Sequence, residues 1–382
     1  MASRRVKQQA GVDALKPYVP GKPIEEVQRA YGLRDVIKLA SNENAFGPSP
    51  RAVAAIQDRL SSVHLYPDGK SHHLRQAIAA YLDVEAGWVF VANGTDGIIM
   101  QTCLAYLDEQ SEVIVSESTF PVYDIFAHVM RARLVKVPLQ DYTLDLNGMA
   151  DAITSRTKLI FVCNPNNPTG TIVLASEVAA FMEQVPDHVL VVFDEAYYEF
   201  VDHSEFPCTL DYIRQGRANV MVTRTFSKAF GIAGVRVGYS VAVPPILAPL
   251  DCVKEPFAVN LLAQAAGIAA LQDLEFLCRT VELTQAGRRY LFDRFEDLGL
   301  EAIPSHTNFV LVNIGPRALE VQEALLRKGV IVRPCTAYDL PEFLRVTVGT
   351  PKENARVTRA LADVLGDQGY EPQSFSASLA RP

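Results

Sequence analysis

Four short strand-like runs in this sequence each end in residues whose side chains could do chemistry together. The loops after three of these runs carry Asn167, Asp194 and Lys228, and the fourth run ends in Gly94-Thr95-Asp96. In a parallel sheet, ligands bind beyond the carboxyl ends of the strands, so we expect these side chains to converge. Together they would supply an amine nucleophile, a carboxylate, an amide and a helix N-terminus that attracts anions.

Each feature alone predicts only ordinary structure. A lone lysine after a strand is usually solvated, and a lone aspartate there usually caps a turn or a helix. The combination fits one cofactor well, pyridoxal 5′-phosphate. Its aldehyde condenses with a lysine amine, its ring nitrogen needs an anion, and its phenolic oxygen needs hydrogen-bond donors. Its phosphate needs N–H groups, hydroxyls and a cation.

Three long motifs, in this order along the chain, resemble the signature segments of fold-type I aminotransferases. They are Asn164-Pro-Asn-Asn-Pro-Thr-Gly170, Phe193-Asp-Glu-Ala-Tyr197 and Thr225-Phe-Ser-Lys-Ala-Phe-Gly-Ile-Ala-Gly-Val-Arg-Val-Gly-Tyr239. The resemblance runs from Tyr18 to about Leu365. Within that superfamily the chain is most similar to the histidinol-phosphate aminotransferase family, on residues 15–28, 38–44, 66–69 and 332–334.

The resemblance implies how the cofactor ring is held. Lys228 would be the catalytic residue, bound covalently to pyridoxal phosphate and later carrying the proton. Asp194 would pair with the ring nitrogen, and Tyr123 would stack on the ring. Asn167 and Tyr197 would donate hydrogen bonds to the phenolic oxygen.

The resemblance also implies a phosphate site shared by two subunits. Gly94, Thr95, Ser227 and Arg236 would hold the cofactor phosphate, and Tyr66 would reach in from a second subunit of a homodimer. The active sites would therefore be composite.

For the substrate, the resemblance implies four further contacts. Arg345 matches the arginine that binds the substrate anion, and Arg333 would be a second anion contact. Asn42 would lie near the substrate head group, and Tyr18 near its side chain. One guanidinium fork can hold either a carboxylate or a phosphate, which suits a site that alternates between two unlike substrates.

The activity that follows from the resemblance is transamination between histidinol phosphate and 2-oxoglutarate, giving imidazole-acetol phosphate and glutamate in histidine biosynthesis. Ala45, Gly97 and Ala258 depart from the family pattern, and we expect them near the substrate channel. They leave open an aminotransferase for another aromatic or specialised-metabolism amino acid. A pyridoxal-phosphate decarboxylase for a phosphate substrate would share every cofactor residue. A non-catalytic regulator would need a DNA-binding domain, for which the first 45 residues are too few and too rich in proline.

The elements that must position these residues alternate along the chain. Strand-like runs separated by helical patterns predict an α/β fold with a mostly parallel sheet flanked by helices on both faces, seven-stranded as the resemblance implies. A long helical pattern over residues 261–295 precedes a smaller α/β unit. We expect an N-terminal arm over 1–45 that packs with the small domain, a large cofactor-binding domain over 46–256, the connecting helix and small domain over 257–366, and a polar tail over 367–382.

Composition excludes several other classes of protein. The chain has 382 residues, 49% of them hydrophobic, and a net charge of −8 without a basic face, so nucleic acid is not an expected partner. Its six cysteines form no C-x-x-C pair and no zinc-like spacing with histidine, which predicts a reduced, metal-free, cytoplasmic protein. The apolar runs are too short or too proline-rich to predict a membrane span, and the N-terminus shows no signal-peptide pattern.

Overall fold

The computed structural model describes residue 6, residues 8–13, 15 and 17, and residues 21–367. The predictions for Tyr18 and for residues 368–382 lie outside this part of the chain. The helices are α1 (Ala10–Asp13), α2 (Ile24–Tyr31), α3 (Pro50–Arg59), α4 (His72–Leu82), α5 (Gly94–Tyr106), α6 (Val122–Val129), α7 (Leu146–Asp151), α8 (Ala175–Gln184), α9 (Leu210–Arg214), α10 (Pro244–Val253), α11 (Leu261–Leu271), α12 (Leu274–Asp297), α13 (Ala318–Arg327) and α14 (Pro351–Asp367). The strands are β1 (Ile37–Leu39), β2 (Val89–Ala92), β3 (Glu112–Ser116), β4 (Arg133–Val137), β5 (Thr157–Cys163), β6 (Leu190–Asp194), β7 (Val220–Thr225), β8 (Gly238–Val241), β9 (Ala302–Ile303), β10 (Phe309–Asn313), β11 (Val330–Pro334) and β12 (Phe343–Thr347).

The larger sheet has seven strands in the order β2-β8-β7-β6-β5-β3-β4. All neighbours are parallel except β8, which runs antiparallel to both β2 and β7. Strands β6 and β7 are buried along their whole length, as expected where helices cover both faces. The predicted α/β fold with a mostly parallel seven-stranded sheet is confirmed.

Each face of this sheet has its own hydrophobic core. Along β2, Val89 and Val91 belong to the core that includes residues of α4, α8 and α11, whereas Phe90 and Ala92 belong to the core that includes residues of α5, α6 and α10. This alternation follows from the two-residue period of a strand. The sheet is thus a rigid layer whose carboxyl edge can hold functional side chains in fixed positions.

The smaller sheet has five strands in the order β1-β11-β12-β10-β9. Strand β1 comes from the N-terminal region and pairs parallel with β11, so Ile37 lies opposite Val330. Strands β11 and β12 are antiparallel, and Arg333 lies directly opposite Arg345. The domain boundaries given above stay a prediction, but this pairing supports an arm that packs with the small domain.

The expected helix over residues 261–295 is wrong as a single element. It is two helices, α11 and α12, with a bend of 80° between them. Asp273, at the break, leaves helical geometry at φ −103° and ψ 62°, and its carboxylate accepts a 2.5 Å hydrogen bond from Ser49 Oγ. Arg51 Nη1 also donates to the backbone oxygen of Gln272 at 2.9 Å, so residues at the start of α3 hold the chain at the break. No single helix in the described chain is long and apolar enough to span a membrane.

A few polar contacts join the two sheets above the carboxyl edge of the larger one. The backbone N–H of His306 donates to the carbonyl of Gly170 at 2.8 Å. Gly170 has a φ of +79°, and a Cβ there would lie 2.3 Å from Ser305 Oγ, so only glycine allows this approach. Arg288 forms an ion pair with Asp202 at 2.7 Å in the same region. The small sheet is thereby held over the loops that carry the predicted site.

Candidate active site

A cavity of about 400 Å³ lies at the carboxyl ends of β5, β6 and β7, between the two sheets. Most of the predicted site residues line it: Asn42, Thr95, Asn167, Asp194, Tyr197, Ser227, Lys228, Arg236 and Arg345. They come from separate elements, because several strands end at this edge and the small sheet covers it. The structure therefore brings together side chains that are up to about 300 positions apart in sequence.

Lys228 lies in the loop after β7, is half-buried, and lines the cavity. Its Nζ donates to the backbone oxygen of Ser41 at 3.4 Å, and the nearest ring is that of Tyr197, at 5.7 Å. Burial and then the positive charge of Arg345 lower the pKa of Lys228 to about 8. With this pKa, about a tenth of the amine is neutral at pH 7 and about half at pH 8, and the neutral form is available as a nucleophile or a base.

Asp194 is the last residue of β6 and is almost fully buried at the floor of the cavity. Burial raises the pKa of its carboxyl group to about 6, while a hydrogen bond from the Tyr123 hydroxyl, at 2.7 Å, acts in the opposite direction. A carboxylate in this setting favours a cation beside it, which a protonated ring nitrogen supplies.

The stacking role expected for Tyr123 is wrong. Tyr123 is fully buried behind Asp194, and its ring stacks on Phe161 with centroids 4.5 Å apart. The residue that lines the cavity is Phe120, whose ring meets Tyr123 edge-on at 5.7 Å. Helix α6 begins at Val122, so Phe120 precedes the helix while Tyr123 falls in its first turn and contacts the sheet.

Asn167 and Tyr197 are each oriented by a residue predicted to bind the substrate. The Asn167 amide oxygen accepts a hydrogen bond from Arg345 Nη1, which leaves the amide N–H groups as donors. The Tyr197 hydroxyl accepts from Asn42 Nδ2 at 2.9 Å, and Asn42 is in turn held by Thr347 Oγ1 at 3.0 Å. Both groups can therefore donate to one acceptor, as the phenolic oxygen of pyridoxal phosphate requires.

The predicted phosphate site surrounds the N-terminus of α5. Gly94, the first residue of that helix, has a φ of +76°, and a Cβ on it would lie 2.6 Å from Nη2 of Arg236. Arg236 is positioned by Ser227 Oγ at 3.4 Å and by Asp96 at 3.3 Å. A guanidinium, a hydroxyl and the free N–H groups of a helix start therefore lie together, which is the donor set of a phosphate site.

The two predicted substrate arginines are partners across a strand pair. Residues directly opposite each other in antiparallel strands share a face, so Arg333 and Arg345 are neighbours on the small sheet. Both are buried. Arg345 lines the cavity formed by the described residues and Arg333 does not.

Tyr66 is the predicted cofactor residue that lies farthest from this arrangement. It is 81% exposed, lies outside the cavity of its own chain, and stacks on Phe257 at 4.4 Å. The three positions that depart from the family pattern, Ala45, Gly97 and Ala258, do not line the cavity of their own chain, and their place near a substrate channel stays a prediction. Ala258 directly follows Phe257, the residue on which Tyr66 stacks.

Sequence reasoning missed several residues that line the cavity. They are Phe120, Asp96, Glu43 and Tyr338. Asp96 was visible within the Gly94-Thr95-Asp96 motif, and Tyr338 lies in the segment between the two arginines. Phe120 and Tyr123 both lie close to Pro121 in the sequence. Only the position at which α6 begins distinguishes Phe120, which precedes the helix, from Tyr123, which lies within it.

The residues present fit pyridoxal phosphate as one set. The cavity offers a buried amine for the aldehyde, a buried carboxylate for the ring nitrogen and two donors for the phenolic oxygen. It also has a phosphate site formed by Arg236, Ser227 and the start of α5, and a Cβ on Gly94 would clash with Arg236 in that site. No group of three or more His, Cys, Asp or Glu residues in the described chain is arranged to hold a metal ion.

Comparison with known proteins agrees with this geometry. The sequence profile of the family "Aminotransferase class I and II" matches residues 34–361. The chain is 50% identical to a histidinol-phosphate aminotransferase from Moorella thermoacetica over 92% of this chain and 91% of that protein. It is 48% identical to a protein of the same name from Symbiobacterium thermophilum, over 93% and 98%.

The fold is also that of a solved relative. The crystal structure of histidinol-phosphate aminotransferase from Sinorhizobium meliloti, in complex with pyridoxal-5′-phosphate, superimposes with a TM-score of 0.88 at 29% identity. The match covers 96% of this chain and 99% of that one. Because the family profile covers most of the chain and the relatives match along nearly all of it, the chain belongs to the class I and II aminotransferase family.

Proposed function

We propose that this protein transfers the amino group of histidinol phosphate to 2-oxoglutarate in histidine biosynthesis, with pyridoxal phosphate attached at Lys228. The proposal depends on the pair Arg333 and Arg345, which lie opposite each other on neighbouring strands. They lie beside a cavity that is lined by the predicted cofactor-binding residues. The names of relatives at 48–50% identity support the same substrate.

Pyridoxal phosphate, when bound, supplies an electron sink that stabilises negative charge on the substrate's α-carbon. The protein supplies the groups that move protons and fix geometry. Lys228 Nζ would take the proton from the α-carbon and deliver it to the carbon of the cofactor's aldehyde group, which a partly neutral amine can do near pH 8. Asp194 keeps the ring nitrogen protonated by pairing with it, so the ring remains a good acceptor of charge.

Substrate binding and cofactor orientation share residues in this site. Arg345 donates to Asn167, and Asn42 donates to Tyr197, so each substrate contact also holds one donor for the phenolic oxygen. Glutamate brings a carboxylate to Arg345 and histidinol phosphate brings a phosphate. Both are anions that a guanidinium fork binds in the same way.

We further propose a homodimer in which Tyr66 contacts the cofactor phosphate of the partner. The exposed Tyr66 stacks on the exposed Phe257 and follows three other exposed apolar residues in the chain, Leu60, Val63 and Leu65. An apolar surface that includes a predicted cofactor residue fits a second copy of this chain, because the contact would cover the surface and complete the site. The cysteine pattern, with Cys103, Cys163 and Cys335 buried as thiols, supports a cytoplasmic location.

The test is a panel of amino donors with the purified, cofactor-loaded protein. Conversion of cofactor absorbance to its amino form would be followed for histidinol phosphate, histidinol, phenylalanine and glutamate, with Lys228→Ala as the inactive control. We expect histidinol phosphate and glutamate to be the best two donors. A preference for phenylalanine would refute the substrate and leave the aminotransferase class intact. Turnover without any 2-oxo acid acceptor would indicate a decarboxylase instead.

A further inference from the structure

Tyr338 lines the cavity but belongs neither to the three sequence motifs nor to the predicted cofactor-binding residues. It lies in a short helical turn, Thr336–Tyr338, between the strands that carry Arg333 and Arg345. It is 2% exposed, and its ring packs in a cluster that contains Leu311 and Phe343. Its position inside this packed cluster fixes where the hydroxyl lies in the cavity.

The hydroxyl of Tyr338 contacts the substrate arginine directly. Arg345 Nη1 donates to it at 3.2 Å, and the guanidinium carbon lies 5.7 Å from the centre of the Tyr338 ring. An arginine N–H can only donate, so the hydroxyl acts here as the acceptor and keeps its own hydrogen. Among the residues that the structure describes, none accepts that hydrogen.

This arrangement matters for the difference between the two substrates. A carboxylate has two oxygens, which one guanidinium can bind together, whereas a phosphate monoester has three terminal oxygens. In a buried cavity, an anionic oxygen left without a donor costs binding free energy. A hydroxyl beside the guanidinium can serve that third oxygen, and a carboxylate bound in the same place has no equivalent atom.

We infer that Tyr338 donates its hydroxyl hydrogen to the substrate phosphate, and that this contact lets a single Arg345 site favour a phosphomonoester over a carboxylate. The inference rests on the proposed function, since it names how that same site recognises its amino donor. It makes Tyr338 a residue that determines specificity, while Asn167 and the backbone oxygen of Ala40 also hold Arg345 in place.

The test is Tyr338→Phe, which removes the hydroxyl and keeps the ring in its cluster. Hydrogen bonds to charged groups predict a loss in kcat/KM for histidinol phosphate of about 10- to 100-fold, mainly through KM. The loss for glutamate should stay below about threefold, because its carboxylate loses no direct partner. Tyr142→Phe is the matched control: Tyr142 packs edge-on against Phe343 in the same cluster at 5.5 Å but does not line the cavity.

A binding measurement separates recognition from chemistry. Calorimetric titration of the cofactor-loaded protein with glycerol 3-phosphate and with glutarate compares the two anions in ligands that carry no amine. We expect Tyr338→Phe to weaken the phosphate ligand and leave glutarate nearly unchanged. Equal weakening of both ligands, or no change in either while the variant unfolds at the wild-type temperature, overturns the inference.

Failure of the proposed function would look different from failure of this inference. If the wild-type protein prefers phenylalanine to histidinol phosphate, the proposed substrate is wrong whatever Tyr338 does. The calorimetric comparison still decides whether the Tyr338 hydroxyl distinguishes a phosphate from a carboxylate at Arg345.

Discussion

The phenolic oxygen of Tyr123 lies 2.7 Å from Oδ2 of Asp194, and both side chains are buried beneath the cavity. Burial disfavours the charged form of Asp194, and the hydrogen bond from Tyr123 favours it. Tyr123 thus helps to maintain the anion proposed to pair with the cofactor's ring nitrogen, while its own ring stacks on Phe161.

Replacing Asp194 should remove most of the activity. In Asp194→Ala the ring nitrogen loses its anionic partner, so the cofactor binds weakly and withdraws electrons poorly. A preorganised electrostatic contact is worth about 3–4 kcal/mol, which corresponds to a loss in kcat of about 10²- to 10³-fold. Steady-state kinetics at saturating cofactor measures this. Near-normal turnover would mean that another group pairs with the ring nitrogen.

The buried Asp194 should also make the stability of the cofactor-free protein depend on pH. Its pKa in the folded state, about 6, lies above the model-peptide value of 3.8, so the folded state holds its proton to higher pH than the unfolded state. Stability therefore falls as pH rises between about 4 and 6. Asp194→Asn lacks this titration, and we expect it to gain about 2–3 kcal/mol relative to wild type between pH 4 and pH 8. Urea unfolding at the two pH values tests this, and a constant difference would contradict it.

Lys228 should be the one lysine that carries the cofactor. Borohydride reduction of the loaded protein should leave the cofactor attached to Nζ of Lys228, as peptide mapping can show. In the cofactor-free protein, acylation of Lys228 should rise with a midpoint near pH 8, because burial and Arg345 lower its pKa. An ordinary lysine side chain has a pKa of about 10.4, so a midpoint near that pH for Lys228 would contradict the lowered pKa. An adduct on a different lysine would remove the basis of the proposed mechanism.

The sequence predicted the larger sheet well, for a physical reason. Its strands are short apolar runs bounded by turn residues, and β3, β6 and β7 are buried along their whole length. Such runs are buried on both sides whatever their neighbours are, so local composition suffices to identify them. Cofactor residues at strand ends, such as Asp194, were predictable because the strand fixes where the chain reaches the edge.

What the sequence could not predict depends on contacts between distant segments. The break between α11 and α12 is set by Ser49 and Asp273, which are separated by 224 positions. Phe120 lines the cavity where Tyr123 was predicted to do so, and this difference depends on where α6 begins. Strand β1 is three residues long and pairs with β11, almost 300 positions away, so its own sequence carries little signal.

A composite active site predicts complementation between two inactive proteins. Tyr66→Ala should lose affinity for the cofactor phosphate, and Lys228→Ala should lose chemistry. In a hybrid dimer, the chain that keeps Lys228 receives an intact Tyr66 from its partner. When equal amounts of the two variants exchange subunits at random, half of the dimers are hybrids. Each hybrid has one complete site out of two, so about a quarter of wild-type activity should return. If confirmed hybrids stay inactive, Tyr66 does not act across the interface.

Arg333 and Arg345 should differ in which substrate they serve. Arg345 lines the cavity and contacts Asn167, so Arg345→Ala should impair the half-reactions with both glutamate and histidinol phosphate. Arg333 lies opposite it on the neighbouring strand. A phosphate dianion carries more charge than a carboxylate and gains more from a second guanidinium, so Arg333→Ala should impair histidinol phosphate more than glutamate.

The measurement is kcat/KM for both donors in wild type, Arg333→Ala and Arg345→Ala, with Arg345→Lys as the matched variant. Lysine keeps the positive charge but lacks the planar guanidinium. If the substrate anion is bound in a bidentate manner, kcat/KM in Arg345→Lys should therefore be little higher than in Arg345→Ala. By analogy with other polar pockets, wild type should discriminate against unphosphorylated histidinol by about 10⁴-fold, because both guanidinium groups lose their anion. If Arg333→Ala impairs glutamate as much as histidinol phosphate, the second arginine holds the first in place and does not itself select the phosphate.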